Sequence, residues 1–115
     1  MKRNYNKLLL ILCLLFYGSN FVMAANLDEA EKLIKKAKLA RNQEESYEYV
    51  HKARVLYEDE YEVNPTNIQV LLGLSKVNQM LEDRANAKLY ILKAYNIQPT
   101  DPKLQKEMGD FYYNL

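Results

Sequence analysis

Apolar residues recur along most of this chain at intervals of three and four, the spacing that gathers side chains onto one face of an α-helix. Leu27, Ala30, Ile34, Ala37 and Ala40 form the first such stripe. Asn26 is placed to cap it and Glu29 follows three residues on, so a helix is predicted from Leu27 to about Arg41. Val50, Ala53, Tyr57 and Tyr61 form the inward side of a second helix, from about Ser46 to Val63. Ile68, Leu71, Leu74, Ser75 and Val77 share a third stripe, and Ala87, Ile91, Ala94 and Tyr95 a fourth. Glu82-Asp83-Arg84 reads as the polar turn between them, with Asp83 as N-cap, and Pro99 ends the fourth helix by disfavouring helical geometry in the residue before it. Asp101-Pro102 then supplies an N-cap and a first-turn proline for a fifth helix carrying Leu104, Met108, Phe111, Tyr112 and Leu115.

The pattern also repeats on a longer scale. Tyr61-Glu62-Val63-Asn64-Pro65-Thr66-Asn67 returns as Tyr95-Asn96-Ile97-Gln98-Pro99-Thr100-Asp101, with Tyr, Pro and Thr unchanged, and the match extends back to Ala53 and Ala87. The period of 34 is that of a stacked helix-turn-helix unit. Ser75, Ala87 and Ala94 are small, which lets the two helix axes of a unit approach closely.

Residues 68–101 resemble a tetratricopeptide repeat, with Leu71, Leu74, Ser75, Ala87, Ile91, Ala94 and Pro99 at the family's signature places. They depart from it at Asn78, where an aromatic is usual, and at Leu71, where tryptophan is frequent. Met108, Gly109 and Tyr112 fall where the family has its leucine, glycine and tyrosine. The resemblance implies an all-α fold of antiparallel helix-turn-helix repeats stacked as a short right-handed solenoid of about two and a half units. These are an irregular repeat at 27–65, a well-matched one at 68–101 and a half repeat or terminal helix at 102–115. Counting back one period from the good repeat puts Arg41 where a small residue belongs and Glu60 where alanine belongs, and a helix longer by about a turn would account for this. About three repeats are normally needed to bury a continuous core, so the monomer is expected to be marginally stable.

The N-terminus has a different character. Lys2, Arg3 and Lys7 precede an apolar run from Leu8 to Phe16, then Gly18-Ser19-Asn20 and Val22-Met23-Ala24-Ala25. That order is a secretory signal peptide over 1–24, cut after Ala24 or Ala25, with the repeat domain at 25–115. The run is well short of the ~20 residues a spanning helix needs. An uncleaved anchor is the alternative, and membrane contact is expected only in that case; both readings export the chain to the periplasm or the outside. Cys13 follows Leu12 where a lipid-anchored protein has a small residue, and reads as part of the apolar run.

Cleavage changes the charge. Losing Lys2, Arg3 and Lys7 leaves 13 of the 16 basic residues against 15 acidic ones, a formal balance of −2. Nucleic acid is disfavoured as a partner, because no net positive field is left to release counterions from phosphate. The mature chain has no cysteine, so helix packing must hold it without disulfides.

Little in the sequence points to catalysis. His51 is the only histidine, with no serine, cysteine or paired carboxylate assigned to orient it, and reads as a surface residue. One histidine without a thiol gives no metal-ligand set, and no cofactor is expected. The acidic run Glu58-Asp59-Glu60-Glu62 reads as a solvated helix face. Tyr47, Tyr49, Tyr57, Tyr61, Tyr90, Tyr95, Tyr112 and Tyr113 could stack on sugars or peptides, but at least half lie on inward stripes, where a core role with the hydroxyl reaching water is the simpler reading.

The family resemblance implies a concave surface, lined by the first helix of each repeat, that takes a peptide. On it fall Gln69 and Lys103, Leu72 and Lys106, Lys76 and Asp110, and Gln79 and Tyr113, the members of each pair separated by one period. Leu72 and Met80 are its apolar candidates for partner contact. Some members of the family grip a C-terminal carboxylate, and Lys38, Asn42 and Lys103 fall at matching places. Gly73 and Glu107 occupy the two remaining places, and a glutamate there would repel a carboxylate. A second candidate surface is the fifth helix, where Leu104, Met108, Gly109, Phe111 and Tyr112 are expected to meet a second copy or a partner helix; the alternative is that this helix folds down over Ile91 and Tyr95. The expected role is an exported adaptor for an unidentified protein or peptide partner, with a structural, oligomerising array component as the alternative and an enzyme a distant third.

Overall fold

The computed structural model describes residues 25–113, and every regular element among them is an α-helix. The signal segment at 1–24 and Leu115 lie outside the described residues. Helix α1 covers residues 25–38, α2 Gln43–Val63, α3 Ile68–Met80, α4 Arg84–Ile97 and α5 Pro102–Tyr113. Connections of three or four residues turn each helix back against the one before it. The all-α class expected from the periodicity holds.

Helices α2 to α5 each start where a short polar side chain takes up a free backbone N–H. Asn42 accepts from the Glu45 N–H at 2.8 Å and starts α2. Asn67 accepts from the Val70 N–H at 3.2 Å, Asp83 from the Asn86 N–H at 3.2 Å, and Asp101 from the Lys103 N–H at 2.8 Å. Helix α3 stops through a paired arrangement of backbone bonds. The Asp83 N–H donates to the Asn78 carbonyl at 2.8 Å and the Glu82 N–H to that of Gln79 at 3.0 Å. This turn requires a left-handed residue, and Glu82 supplies it with φ 62°.

The sequence period is reproduced bond for bond in the turns. The Asn64 N–H donates to Glu60 at 2.8 Å as that of Gln98 does to Ala94 at 3.1 Å, and Asn67 pairs with Asn64 as Asp101 does with Gln98. Leu71 bonds back to Asn67 as Gln105 does to Asp101, both at 3.0 Å. Val63 and Ile97, again one period apart, end their helices.

The first hairpin departs from the expected bounds. Helix α2 has 21 residues against 14 in α4, an excess of seven or about two turns, and all of it lies at the N-terminal end. Helix α1 therefore ends at residue 38, and Ala40 and Arg41 fall in the turn. Asn26 lies within α1 and does not cap it. Its Nδ2 donates to Glu60 Oε1 at 2.7 Å, a charge-assisted bond that ties the start of α1 to α2.

Three apolar clusters hold the helices together. Ala30, Leu33, Ile34 and Ala37 of α1 meet Val50, Ala53 and Tyr57 of α2 and Val70, Leu74 and Val77 of α3. Leu71, Ala94 and Leu104 join α3, α4 and α5, while Ala87, Ile91 and Phe111 close α4 against α5. The fifth helix thus folds down over α4. Leu104 and Phe111 are buried within the chain and are removed from the surface expected to meet a partner.

Close approach is managed by small residues. Ser75 Oγ donates to the Ala87 carbonyl at 2.9 Å, tying α3 to α4 where both residues are buried. Asn78, where the family has an aromatic, is buried and satisfies itself by donating to the Leu74 carbonyl at 2.7 Å. Gly73 lets the Tyr57 ring lie close against α3, since a Cβ there would come within 2.3 Å of Tyr57 Cε1.

Candidate functional site

Because successive helices alternate, α1, α3 and α5 share one side of the molecule, and a groove runs across them. Its volume is about 410 Å³, and its walls come from Glu31, Lys35 and Lys38 of α1, Gln69, Lys76 and Gln79 of α3, and Lys103 and Glu107 of α5. The half-buried Leu72 and the Tyr57 ring over Gly73 supply its apolar floor. Gln69, Leu72, Lys76, Gln79 and Lys103 are therefore brought together as the sequence pattern expects.

Other expected members are placed elsewhere. Met80 is half-buried against the α1–α2–α3 core, because it lies one helical turn after the fully buried Val77 and so shares its inward side. Lys106, Asp110 and Tyr113 are exposed on α5 and do not line the groove; Tyr113 is 92% exposed. Of the residues at carboxylate-gripping places, Lys38 and Lys103 face the groove, but the Asn42 side chain is engaged in capping α2. Gly73 lies beneath Tyr57, where an asparagine would not fit. That constellation is not assembled. Glu31 and Lys35 belong to the groove but were hidden from sequence reasoning, since the seven extra residues of α2 displace α1 from the position the period assigns it.

The groove's electrostatics centre on one amine. Partial burial lowers the Lys76 pKa from the ordinary lysine value and Lys38, beside it, lowers it further, whereas Glu107 and Glu31 act in the opposite direction. At the groove's base, burial and the nearby Glu31 carboxylate push Tyr57 up to about 12.

On the opposite side, Tyr61 and Tyr90 meet edge to face at 5.5 Å, and Lys93 Nζ donates to Tyr61 Oη at 2.6 Å while lying 5.2 Å from that ring's centroid. These tyrosines bridge α2 and α4, and half-burial of both rings makes the contact structural. His51 is exposed near the start of α2, in a shallow depression bordered by Tyr47, Glu48 and Lys52 of the same helix. On α5, Met108 is half-buried, Tyr112 is exposed, and a Cβ at Gly109 would meet nothing within 4 Å. Among the described residues no group of three or more His, Cys, Asp and Glu could hold a metal ion, and no helix is long and apolar enough to cross a membrane. No family model, curated protein or solved structure matches the chain.

Proposed function

We propose that this chain is an exported, non-catalytic adaptor of tetratricopeptide type that holds a peptide or protein partner in the α1–α3–α5 groove while envelope proteins are assembled or tethered. The observation that carries this reading is the groove itself, an open surface shared by three helices with polar walls and a half-buried leucine in its floor. Such a surface suits an extended or helical segment, which needs a few anchors and many tolerant polar contacts. The recurrence of the turn bonds one period later supports the family reading. Export rests on Lys2, Arg3 and Lys7 ahead of the apolar run.

Site-specific photo-cross-linking in the native envelope tests the role. A cross-linker at Gln69 or Gln79 is expected to trap a partner, and one at Asn86 or Lys88 on α4 is not. Adducts formed only from α4, or from none of the four positions, overturn the groove reading.

A second reading, a structural component that oligomerises, has one observation in its favour. Ser75 of α3 is buried and bonded to α4, whereas its counterpart one period later, Gly109, is exposed with nothing within 4 Å of where its Cβ would be, and Tyr112 on the same helix is exposed as well. Sedimentation of the full chain beside a Tyr112→Glu variant separates the readings, since Tyr112 is exposed whereas Met108 packs on the α4–α5 cluster. Phe111→Glu is unsuitable, since Phe111 is buried in the chain and its loss would unfold α5.

A further inference from the structure

The groove holds two amines that the fold presses together without neutralising either. Lys38 enters from α1 and Lys76 from α3, close enough that the Lys38 charge makes that of Lys76 harder to keep. Among the described residues neither forms an ion pair. Lys35, one turn earlier on α1, and Lys103 on α5 add to the excess, so four lysines face Glu31 and Glu107. Two like charges in a partly desolvated place are unfavourable for the free protein, and an anion between them would relieve both.

We propose that the groove takes an acidic peptide segment and seats one of its side-chain carboxylates between the Lys38 and Lys76 amines. The inference rests on the groove-binding reading and adds the chemistry of the ligand. A carboxylate has two oxygens that each accept a charge-assisted hydrogen bond, so one group serves both amines. Leu72, half-buried beside Lys76, offers a neighbouring residue of the segment an apolar contact. Glu107 and Glu31 both act on Lys76 and offset part of the lysine charge, so the groove has room for one bound carboxylate and repels a second. An evenly charged polyanion such as nucleic acid would meet Glu31 and Glu107 along its length, which a peptide with one or two acidic residues avoids. An internal side chain suits this groove better than a chain terminus, because the groove is open across three helices and Asn42 and Gly73 contribute no donor side chain to it.

Panning a random dodecapeptide display library against the full chain, with synthetic versions of the selected peptides titrated afterwards, tests the assignment. Selected peptides should be enriched in Asp and Glu. Their affinity should fall about tenfold with Lys38→Gln or Lys76→Gln, the loss expected for one charge-assisted hydrogen bond. It should fall as much when the acidic residue is changed to its amide, and survive Lys76→Arg and, on the outside of α4, Lys88→Gln. Circular dichroism melts of the variants separate lost binding from lost folding. Peptides without acidic enrichment, blocked by Leu72→Asp and indifferent to both lysine variants, would overturn the carboxylate site and leave the groove reading standing. A library that yields no peptide sensitive to Leu72→Asp or to either lysine variant overturns both.

Discussion

The two hairpins α1–α2 and α3–α4 solve one packing problem with different chemistry. In the second, Ala94 is fully buried against Leu71 and Leu104, and helix approach is set by atoms that are not there. In the first, the residue one period earlier is Glu60, only 5% exposed, and the space an alanine would leave is filled by a carboxylate bonded to Asn26. The second hairpin is tightened by the absence of side chains, the first by a polar contact that must be made correctly. A repeat position thus fixes the geometry of the backbone while leaving open whether the gap is closed by smallness or by a satisfied polar pair.

The largest expected effect is on the small-residue solution. Ala94→Leu should cost up to about 3 kcal/mol by overpacking α3 and α5 against α4. Denaturant unfolding of the full chain measures it. A loss under about 0.5 kcal/mol, the size of an ordinary surface substitution, would mean that α4 and α5 are not closely packed.

The polar solution is next. Asn26→Ala leaves a buried carboxylate without its donor and should cost about 2 kcal/mol. Asn26→Ala combined with Glu60→Ala turns the first hairpin into a copy of the second at this position and should recover most of that loss, since replacing both partners of a buried polar contact is far milder than removing one. A double variant as unstable as Asn26→Ala would show that the contact is not what closes the gap.

A third comparison concerns the ring over α3. Gly73→Ala brings a methyl group into the Tyr57 ring and should cost about 1–2 kcal/mol, although alanine favours a helix by about 1 kcal/mol over glycine. The same ring gives the first hairpin an alkaline sensitivity. Its folded pKa, about 12, lies above the ordinary 10.0 of the unfolded chain, so the folded state holds the phenol proton more tightly. Its contribution is whole below pH 10 and is lost as pH rises through 12. Tyr57→Phe should remove that component of the alkaline loss, read as the difference between the two stability–pH curves.

The second hairpin and the turns were legible in the sequence because their rules are local: N-caps at Asp83 and Asp101, small residues at Ser75, Ala87 and Ala94, and a proline after α4. Helix α1 was less legible because the seven additional residues of α2 shift α1 along its neighbour, a tertiary adjustment with no local signature. The same shift explains the groove. Gln69, Leu72, Lys76, Gln79 and Lys103 followed from the period, while Glu31 and Lys35 follow only once α1 has been placed. Lys38 was legible in the sequence for a different reason, and its closeness to Lys76 emerges only from the packed helices.

The smallest expected effect sharpens the contrast between a covered and an uncovered repeat position. Ser75 and Gly109 are equivalent positions of successive repeats, and Ser75 is buried and bonded to the Ala87 carbonyl of α4. Gly109 is exposed, and nothing lies within 4 Å of where its Cβ would be. If the surface of α5 stays open in solution, Gly109→Ala relieves the backbone entropy that glycine adds to the unfolded chain and should stabilise the protein by about 0.5–1 kcal/mol. If another helix covers that surface, closely enough to need glycine, the added methyl group meets it and the sign reverses. Thermal melts of the full chain and the variant at low and high concentration decide between the two, because a contact between copies strengthens with concentration and an open helix does not. A gain at low concentration that turns into a loss at high concentration would identify Gly109 as a contact between copies, and an equal gain at both would leave α5 with water as its neighbour on that side.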